Sequence, residues 1–318
     1  MKNVVEMNTT LSLKDENKAK KPESKRNSFF ELYRFLFAMW VVWYHGFFTF
    51  KSQYFDDGYL AVEFFFLLSG FFFLKSIEKY KDSSYMRGLF KMVWSKIKPL
   101  GLAFLVGVVF VIWQRVLEGQ SVLFGYLWYI PIMLLAFVVI YTLHRVLKSK
   151  LSFIISLIAI VIISYLILYL PIVEKLGVAR GFGAVSMGVL LSYIPKIELK
   201  IGKLNFNWII TALVFVAVVY LAYIPKADLT YEYILIFALM PTLIYFTSTL
   251  KVQSKFLNFL GSLSFGLYAY QCILRVIRML YSLPQFGLFL ILICLILADK
   301  CLKLMRKQYL KNFKLQKA

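Results

Sequence analysis

The stretch ELYRFLFAMWVVWYHGFFTF, residues 31–50, decides the fold of this chain. Its apolar residues are numerous enough for a helix that crosses a bilayer, which takes about 20 residues. Three ionisable residues interrupt the run: Glu31, Arg34 and His45. An arginine or an acid at membrane depth costs about 2.5–3.5 kcal/mol on insertion scales, so such residues face a protein interior or a wet cavity. The stretch therefore predicts a transmembrane helix with a functional polar face.

The three polar residues share that face. Arg34 and His45 are eleven positions apart, so at ~100° per residue their directions differ by only ~20°. Glu31 precedes Arg34 by three residues and lies on the same side. The helix rise separates Arg34 from His45 by about 16 Å, roughly half the hydrocarbon thickness. A hydrogen-bonded packing role for the histidine is the alternative interpretation.

The composition is that of an integral membrane protein. Of the 318 residues, 61% are hydrophobic, whereas a soluble domain is about 45–50% apolar. The net charge of +21 does not predict nucleic-acid binding, because the basic residues occupy short gaps between apolar runs. Cys272, Cys294 and Cys301 do not have the spacing of a metal site, so we predict no metal and no bound cofactor.

The apolar runs predict an all-α fold, a polytopic integral membrane helix bundle of about ten transmembrane helices. Residues 1–28 are expected to form a disordered basic cytoplasmic tail, residues 29–302 one membrane domain, and residues 303–318 a second basic tail. In this topology 29 of the 37 lysines and arginines lie inside and seven outside, which predicts a cell-membrane protein with both termini in the cytoplasm. After the first helix, the predicted spans are residues 59–77, 99–116, 124–143, 151–171, 180–195, 206–224, 231–249, 259–277 and 286–302.

Two segments depart from simple spans. Residues 78–98 mix bulky apolar and basic side chains, which predicts a helix lying in the inner interface; a basic loop on anionic lipid is the alternative. The sixth span is short and contains glycine, so it is either a crossing helix or a re-entrant segment.

Polar residues of several spans fall at one depth in this topology. His45 and Glu63 lie near the outer ends of neighbouring antiparallel spans, so we expect them to be level. For the other polar residues of the outer half, the alternatives are snorkelling arginines and an aromatic belt. These residues are Trp128, Tyr129, Arg180, Gln271 and Arg275.

Two motifs resemble the acyltransferase 3 family of multi-spanning membrane O-acyltransferases. Arg34 followed after ten residues by His45 resembles the arginine–histidine motif of that family's opening helix. GYLAVEFFFLLSGFFF, residues 58–73, resembles its acid- and phenylalanine-rich stretch ending in Ser-Gly-Phe. Weaker likenesses at residues 96–99, in RGFGAVSMG (residues 180–188) and in GSLSFGLYAYQ (residues 261–271) extend the resemblance over residues 28–302. This chain has Gln271 where many members have histidine, and Glu63 where aspartate is commoner.

The resemblance implies transfer of an acyl group, usually acetyl, from acetyl-CoA to a hydroxyl of an extracytoplasmic glycan or lipid-linked saccharide. His45 suits a general base, with Glu63 fixing its tautomer; an acyl-histidine relay is also open. We expect the outer residues named above to bind the acceptor, and the chain to have acyl-CoA, the saccharide and the lipid bilayer as its partners. The residues expected to bind the acyl-CoA donor are Glu31, Arg34, Arg87, Lys96 and Lys98.

Other functions remain open from the residues alone. A transporter or flippase of glycan intermediates also needs polar residues at membrane depth, but it needs no acyl donor. An acyltransferase that acts on a small secreted metabolite needs the donor and no glycan. A purely structural membrane partner is disfavoured by the cost of charge within the membrane.

The charge asymmetry predicts which positions are accessible from outside the cell. In single-cysteine variants at Ser24, Asp56 and Lys311, a membrane-impermeant thiol reagent should label only the variant at Asp56. Labelling at either terminus in intact cells would contradict the predicted topology.

Overall fold

The computed structural model is a bundle of α-helices. It describes residues 27–44, 58–99, 101, 104–105, 108–109, 112–113, 116, 128–169, 177–201, 204–224, 229–281 and 285–315. The helices are α1 Ser28–Tyr44, α2 Gly58–Lys79, α3 Tyr85–Ile97, α4 Tyr129–Val146, α5 Lys150–Tyr169, α6 Gly177–Tyr193, α7 Phe206–Tyr223, α8 Leu229–Tyr233, α9 Met240–Thr249, α10 Lys255–Gly261, α11 Ser264–Tyr281 and α12 Gln285–Leu315. A π-helical segment, Ile234–Leu239, joins α8 to α9. Two short strands, Lys200–Ile201 and Leu204–Asn205, pair antiparallel before α7.

Length and composition make several of these helices candidates to cross a membrane. Among the described residues there are five: Gly58–Lys79, Tyr129–Val146, Lys150–Leu168, Phe206–Tyr223 and Tyr231–Thr249. Large apolar side chains point outward from them, including Leu151, Leu166 and Leu213, each more than 60% exposed. Lipid is the solvent that suits such a surface. The prediction of an all-α membrane helix bundle is confirmed; the number ten remains a prediction, and half of the third predicted span lies outside the described residues.

Hydrogen bonds at its first residues hold α1 in place. Asn27 caps the helix by accepting from the Phe29 N–H at 3.1 Å, and its Nδ2 donates to the Thr247 and Leu250 carbonyls at 2.7 Å. The Ser28 hydroxyl donates to Asn258 Oδ1 at 3.0 Å and accepts from the Ser254 N–H at 2.8 Å. Ser28, which the sequence analysis assigned to the tail, is thus the first residue of the helix.

Two further boundaries differ from the predicted spans. The ninth span is divided, because α10 ends at Gly261 and α11 begins at Ser264. The Gly261 backbone packs against Glu31, where an added Cβ would lie 2.4 Å from the Glu31 Cβ. At the C-terminal end, α12 continues through the predicted boundary at residue 302 to Leu315. Leucine, lysine and arginine are strong helix formers, and neither glycine nor proline interrupts this segment.

Helix α3 is amphipathic, as predicted for residues 78–98. Gly88 and Met92 are buried against the bundle. Met86, Phe90 and Trp94, each one helical turn from the next, point outward and are 70%, 69% and 54% exposed. An outward apolar stripe beside exposed basic residues is the pattern of a helix in a membrane interface.

The close contact between α2 and α6 depends on glycine. A Cβ added to Gly70 would lie 2.1 Å from the Val185 carbonyl oxygen, and one added to Gly188 would lie 2.1 Å from that of Leu67. Both obstacles are backbone atoms, which cannot rotate away. Small residues are what allow two membrane helices to approach this closely.

This contact predicts that Gly188→Ala destabilises the bundle by about 1–3 kcal/mol, the usual cost of overpacking. The midpoint of thermal unfolding in detergent should fall. Gly266→Ala is the matched control, because its added Cβ would meet only the Ile296 side chain, at 3.0 Å. Equal midpoints for the two variants would contradict the argument.

Candidate active site

A buried ion pair joins α2 to α6. Glu63, on α2, is only 1% exposed. Its Oε1 lies 3.2 Å from Nη1 of Arg180. The predicted sixth span began at Arg180, but α6 begins three residues earlier, at Gly177, and the Arg180 side chain is 18% exposed and turned toward Glu63. The pairing of Glu63 with Arg180 offsets the cost of a carboxylate inside the bundle.

A second carboxylate, Glu232 on α8, completes the cluster. Arg180 Nη2 lies 3.7 Å from Glu232 Oε2. The Tyr59 hydroxyl donates to Glu232 Oε1, and the Arg180 guanidinium lies 4.9 Å from the centre of the Tyr59 ring. Sequence reasoning missed Glu232, although an acid in the predicted eighth span is the same signal that singled out Glu63.

This ion cluster, defined as Glu63, Arg180 and Glu232 with Tyr59, has an uneven charge balance. Two carboxyl groups share one guanidinium among the described residues. Glu63 Oε2 is buried and has no hydrogen-bond partner among the described residues. The Tyr165 side chain lies close enough to Glu63 to interact with it electrostatically and as a hydrogen-bond neighbour. The ion cluster is thus suited to a further hydrogen-bond donor or a positive charge.

The C-terminal end of α1 lies against the ion cluster. Tyr44, the last residue of α1, packs on the α2 start: a Cβ added to Gly58 would lie 2.1 Å from the Tyr44 Cβ. The rings of Tyr44 and Tyr59 are 6.1 Å apart. His45 lies outside the described residues, so its pairing with Glu63 remains a prediction. The ion-pair partner of Glu63 that the structure describes is Arg180.

A second polar group lies toward the start of α1. Arg34 Nη1 is 3.2 Å from Glu31 Oε1, and the Arg34 side chain is 35% exposed. Lys96, on α3, donates to the Ser76 hydroxyl at 3.0 Å and lies over the Phe73 and Phe137 rings. Burial and the positive charge of Arg34 lower the pKa of Lys96. We call Glu31, Arg34 and Lys96 the inner cation group.

Of the remaining predicted donor residues, Arg87 and Lys98 on or beside α3 are exposed. Nothing in the described part of the chain brings them to the Arg34 side chain. Their assignment to the donor remains a prediction.

The side chains of Trp128 and Tyr129, predicted together as acceptor residues, point in different directions. Tyr129 shares a hydrogen bond with the Ser69 hydroxyl at 3.1 Å and interacts electrostatically with Arg34. The Trp128 ring instead packs on the start of α6, where a Cβ added to Gly177 would lie 2.4 Å from it. Successive helical residues point ~100° apart, which explains why neighbours in sequence separate here.

The last two predicted acceptor residues belong to α11. Gln271 is 1% exposed, and neither its Nε2 nor its Oε1 has a hydrogen-bond partner among the described residues. The side chain of Arg275 lies outside the described residues.

An apolar cavity of about 330 Å³ also borders α1. Leu36, Met39 and Trp43 are among its lining residues, and they point away from the face that carries Arg34, since Leu36 lies ~200° from it. A cavity with this lining has no group for acid–base chemistry. Among the described residues, no group of histidine, cysteine and acidic side chains is arranged to hold a metal ion.

The fold and the site define a polytopic membrane protein with an ion cluster inside its helix bundle. A family model for an acyltransferase domain, acyltransferase 3, matches residues 27–298. Because the match covers most of the 318 residues, the chain belongs to the acyltransferase 3 family and is a membrane acyltransferase. No curated protein and no solved structure matches the chain.

The geometry predicts that Arg180→Met strongly lowers the midpoint of thermal unfolding in detergent. Loss of the guanidinium leaves two carboxylates buried, and breaking a buried pair costs about 3–5 kcal/mol. The triple variant Arg180→Met/Glu63→Gln/Glu232→Gln removes the three charges together and should recover most of the midpoint. If the single and triple variants unfold alike, the ion cluster does not stabilise the bundle.

Proposed function

We propose that the protein is a membrane O-acyltransferase. It moves an acyl group, in the simplest case acetyl, from cytoplasmic acyl-CoA to a hydroxyl of an extracytoplasmic glycan or lipid-linked saccharide. The observation that supports this most directly is the opposite charge at the two ends of α1. The inner cation group has two cations and one carboxylate, whereas the ion cluster beside Tyr44 has two carboxylates and one cation.

The inner cation group suits the phosphates of acyl-CoA. Arg34 and Lys96 carry like charges close together, which is unfavourable unless an anion lies nearby. Among the described residues, no carboxylate lies within ion-pair distance of Lys96, and Glu31 pairs with Arg34. A phosphate group bridging the two cations would relieve their repulsion. Arginine is well matched to this task, because its planar fork binds phosphate oxygens in pairs.

The other end of α1, beside the ion cluster, suits proton transfer. In our proposal a ring nitrogen of His45 takes the proton of the acceptor hydroxyl while the oxygen of that hydroxyl attacks the thioester carbonyl carbon. The C–S bond then breaks, and the CoA thiolate receives the proton from the imidazolium. An acyl-histidine intermediate that the acceptor hydroxyl then attacks is the other route open to the same residues.

The ion cluster gives Glu63 a defined role in this scheme. Arg180 engages Glu63 Oε1; in our proposal Oε2 of this carboxyl group, near which the Tyr165 side chain also lies, accepts from the second ring nitrogen of His45. A carboxylate there fixes the histidine tautomer and stabilises the imidazolium.

The comparison of surface glycans with and without the gene tests the reaction itself. Loss of O-acetyl groups in the deletion strain, restored by the wild-type gene, supports the proposal. Unchanged O-acetylation with impaired export of the glycan would favour a transporter or flippase, and loss of an acetylated small metabolite would favour the other acceptor class.

His45→Ala should lower O-acetylation by at least about 100-fold, the lower limit of a typical general-base contribution, with normal amounts of protein in the membrane. Glu63→Gln keeps the size of the side chain and loses its charge, so activity should fall to an intermediate level. In the His45→Ala background, Glu63→Gln should have little further effect, because residues that act as a unit are not additive. Independent effects of the two substitutions would assign Glu63 to the Arg180 ion pair alone.

A further inference from the structure

Gln271 is a buried amide whose hydrogen-bonding capacity is unused among the described residues. Its side chain is 1% exposed, and both Nε2 and Oε1 are without a partner there. Burial without partners costs an amide free energy, so such a group in a native protein calls for a ligand or an ordered water. It offers a donor and an acceptor side by side.

Contacts place Gln271 on the interior face of α11. Tyr268 lies three residues earlier on the same face, and its ring is 5.9 Å from that of Tyr129. Tyr129 in turn interacts with Arg34 of the inner cation group. Gln271 therefore shares the side of α11 that contacts Tyr129.

The depth of Gln271 follows from how α1 and α11 begin. Both start from the same end of the bundle, where Ser28 bonds to Ser254 and Gly261 packs on Glu31. Gln271 lies about 4.5 Å beyond Tyr268 along α11, in the direction of Tyr44. Measured along the direction of α1, Gln271 thus lies beyond Arg34 and before Tyr44, the residue that precedes His45 in the sequence.

We infer that Gln271 hydrogen-bonds an amide of the pantetheine arm of acyl-CoA. The inference rests on the proposed function, in which the arm runs from phosphates at Arg34 and Lys96 toward the thioester near His45. Each pantetheine amide presents a carbonyl oxygen and an N–H together. Nε2 would donate to that carbonyl and Oε1 would accept from that N–H, so one contact satisfies both ends of the Gln271 side chain. Gln271 acts here as a positioning residue that sets how far the thioester extends along α1.

The experiment measures binding, which needs no acceptor. The full-length protein in lipid nanodiscs is titrated with acetyl-CoA and with an analogue whose arm is an alkyl chain of equal length without amides. Wild type should bind acetyl-CoA about 10-fold to 30-fold more tightly than the analogue, as expected for two hydrogen bonds. Gln271→Met, which keeps the volume of the side chain, should bind the two ligands with nearly equal affinity.

A second variant and a matched control keep the test decisive. Gln271→Glu retains a polar side chain and an acceptor but loses the amide donor, so it should also reduce the preference for the amide-containing ligand. Ser186 is another fully buried polar residue whose side chain has no partner among the described residues. Ser186→Ala removes its hydroxyl and should preserve the wild-type preference for acetyl-CoA over the analogue.

The outcomes separate this inference from the proposed function. If wild type binds neither ligand, acyl-CoA is not the donor, and both proposals fall. If wild type binds acetyl-CoA and Gln271→Met weakens both ligands equally, the inference alone is overturned. Unchanged donor binding with a raised requirement for the acceptor would assign Gln271 to the acceptor instead.

Discussion

The Arg180 guanidinium is the interaction on which the rest of the site depends. It joins Glu63 of α2 to Glu232 of α8, so one side chain of α6 ties three helices together. Either carboxylate alone inside the bundle would be costly, because neither water nor lipid in the interior can solvate it. The pairing constrains the depth and rotation of all three helices, which is how a polar site is held in place within an apolar fold.

The first helix relates the two polar groups to each other. Hydrogen bonds from Asn27 and Ser28 set the position where α1 begins, and the contact of Tyr44 with Gly58 sets where its described part ends. Between them, Ala38 and Val41 are buried on the face that carries Arg34. A helix fixed at both ends keeps a constant distance between the inner cation group and the ion cluster. In the reaction proposed above, that distance would have to match the length of the acyl donor.

Close packing of α2 on α6 is what makes the ion pair possible. Gly70 and Gly188 bring the two backbones together, and this approach brings Glu63 and Arg180 to 3.2 Å. Lipid supplies no hydrophobic drive for such an approach, so small residues and polar contacts must provide it. The glycines of RGFGAVSMG, weak as a motif, therefore have a direct structural role.

The sequence by itself determined the membrane class, the all-α fold and the polar face of α1, because hydropathy, charge and a 3.6-residue period are local properties of a chain. It also singled out Glu63 and Arg180 from their cost in a membrane, although it began the sixth span at Arg180 and overlooked Glu232. Only the tertiary structure decided that Arg180 lies between the two acids. It also decided that Trp128 packs on the start of α6, whereas Tyr129 shares a hydrogen bond with Ser69. Such pairings depend on the relative depth and rotation of helices far apart in sequence. Those are set by packing at positions such as Gly188, which no periodicity along one helix encodes.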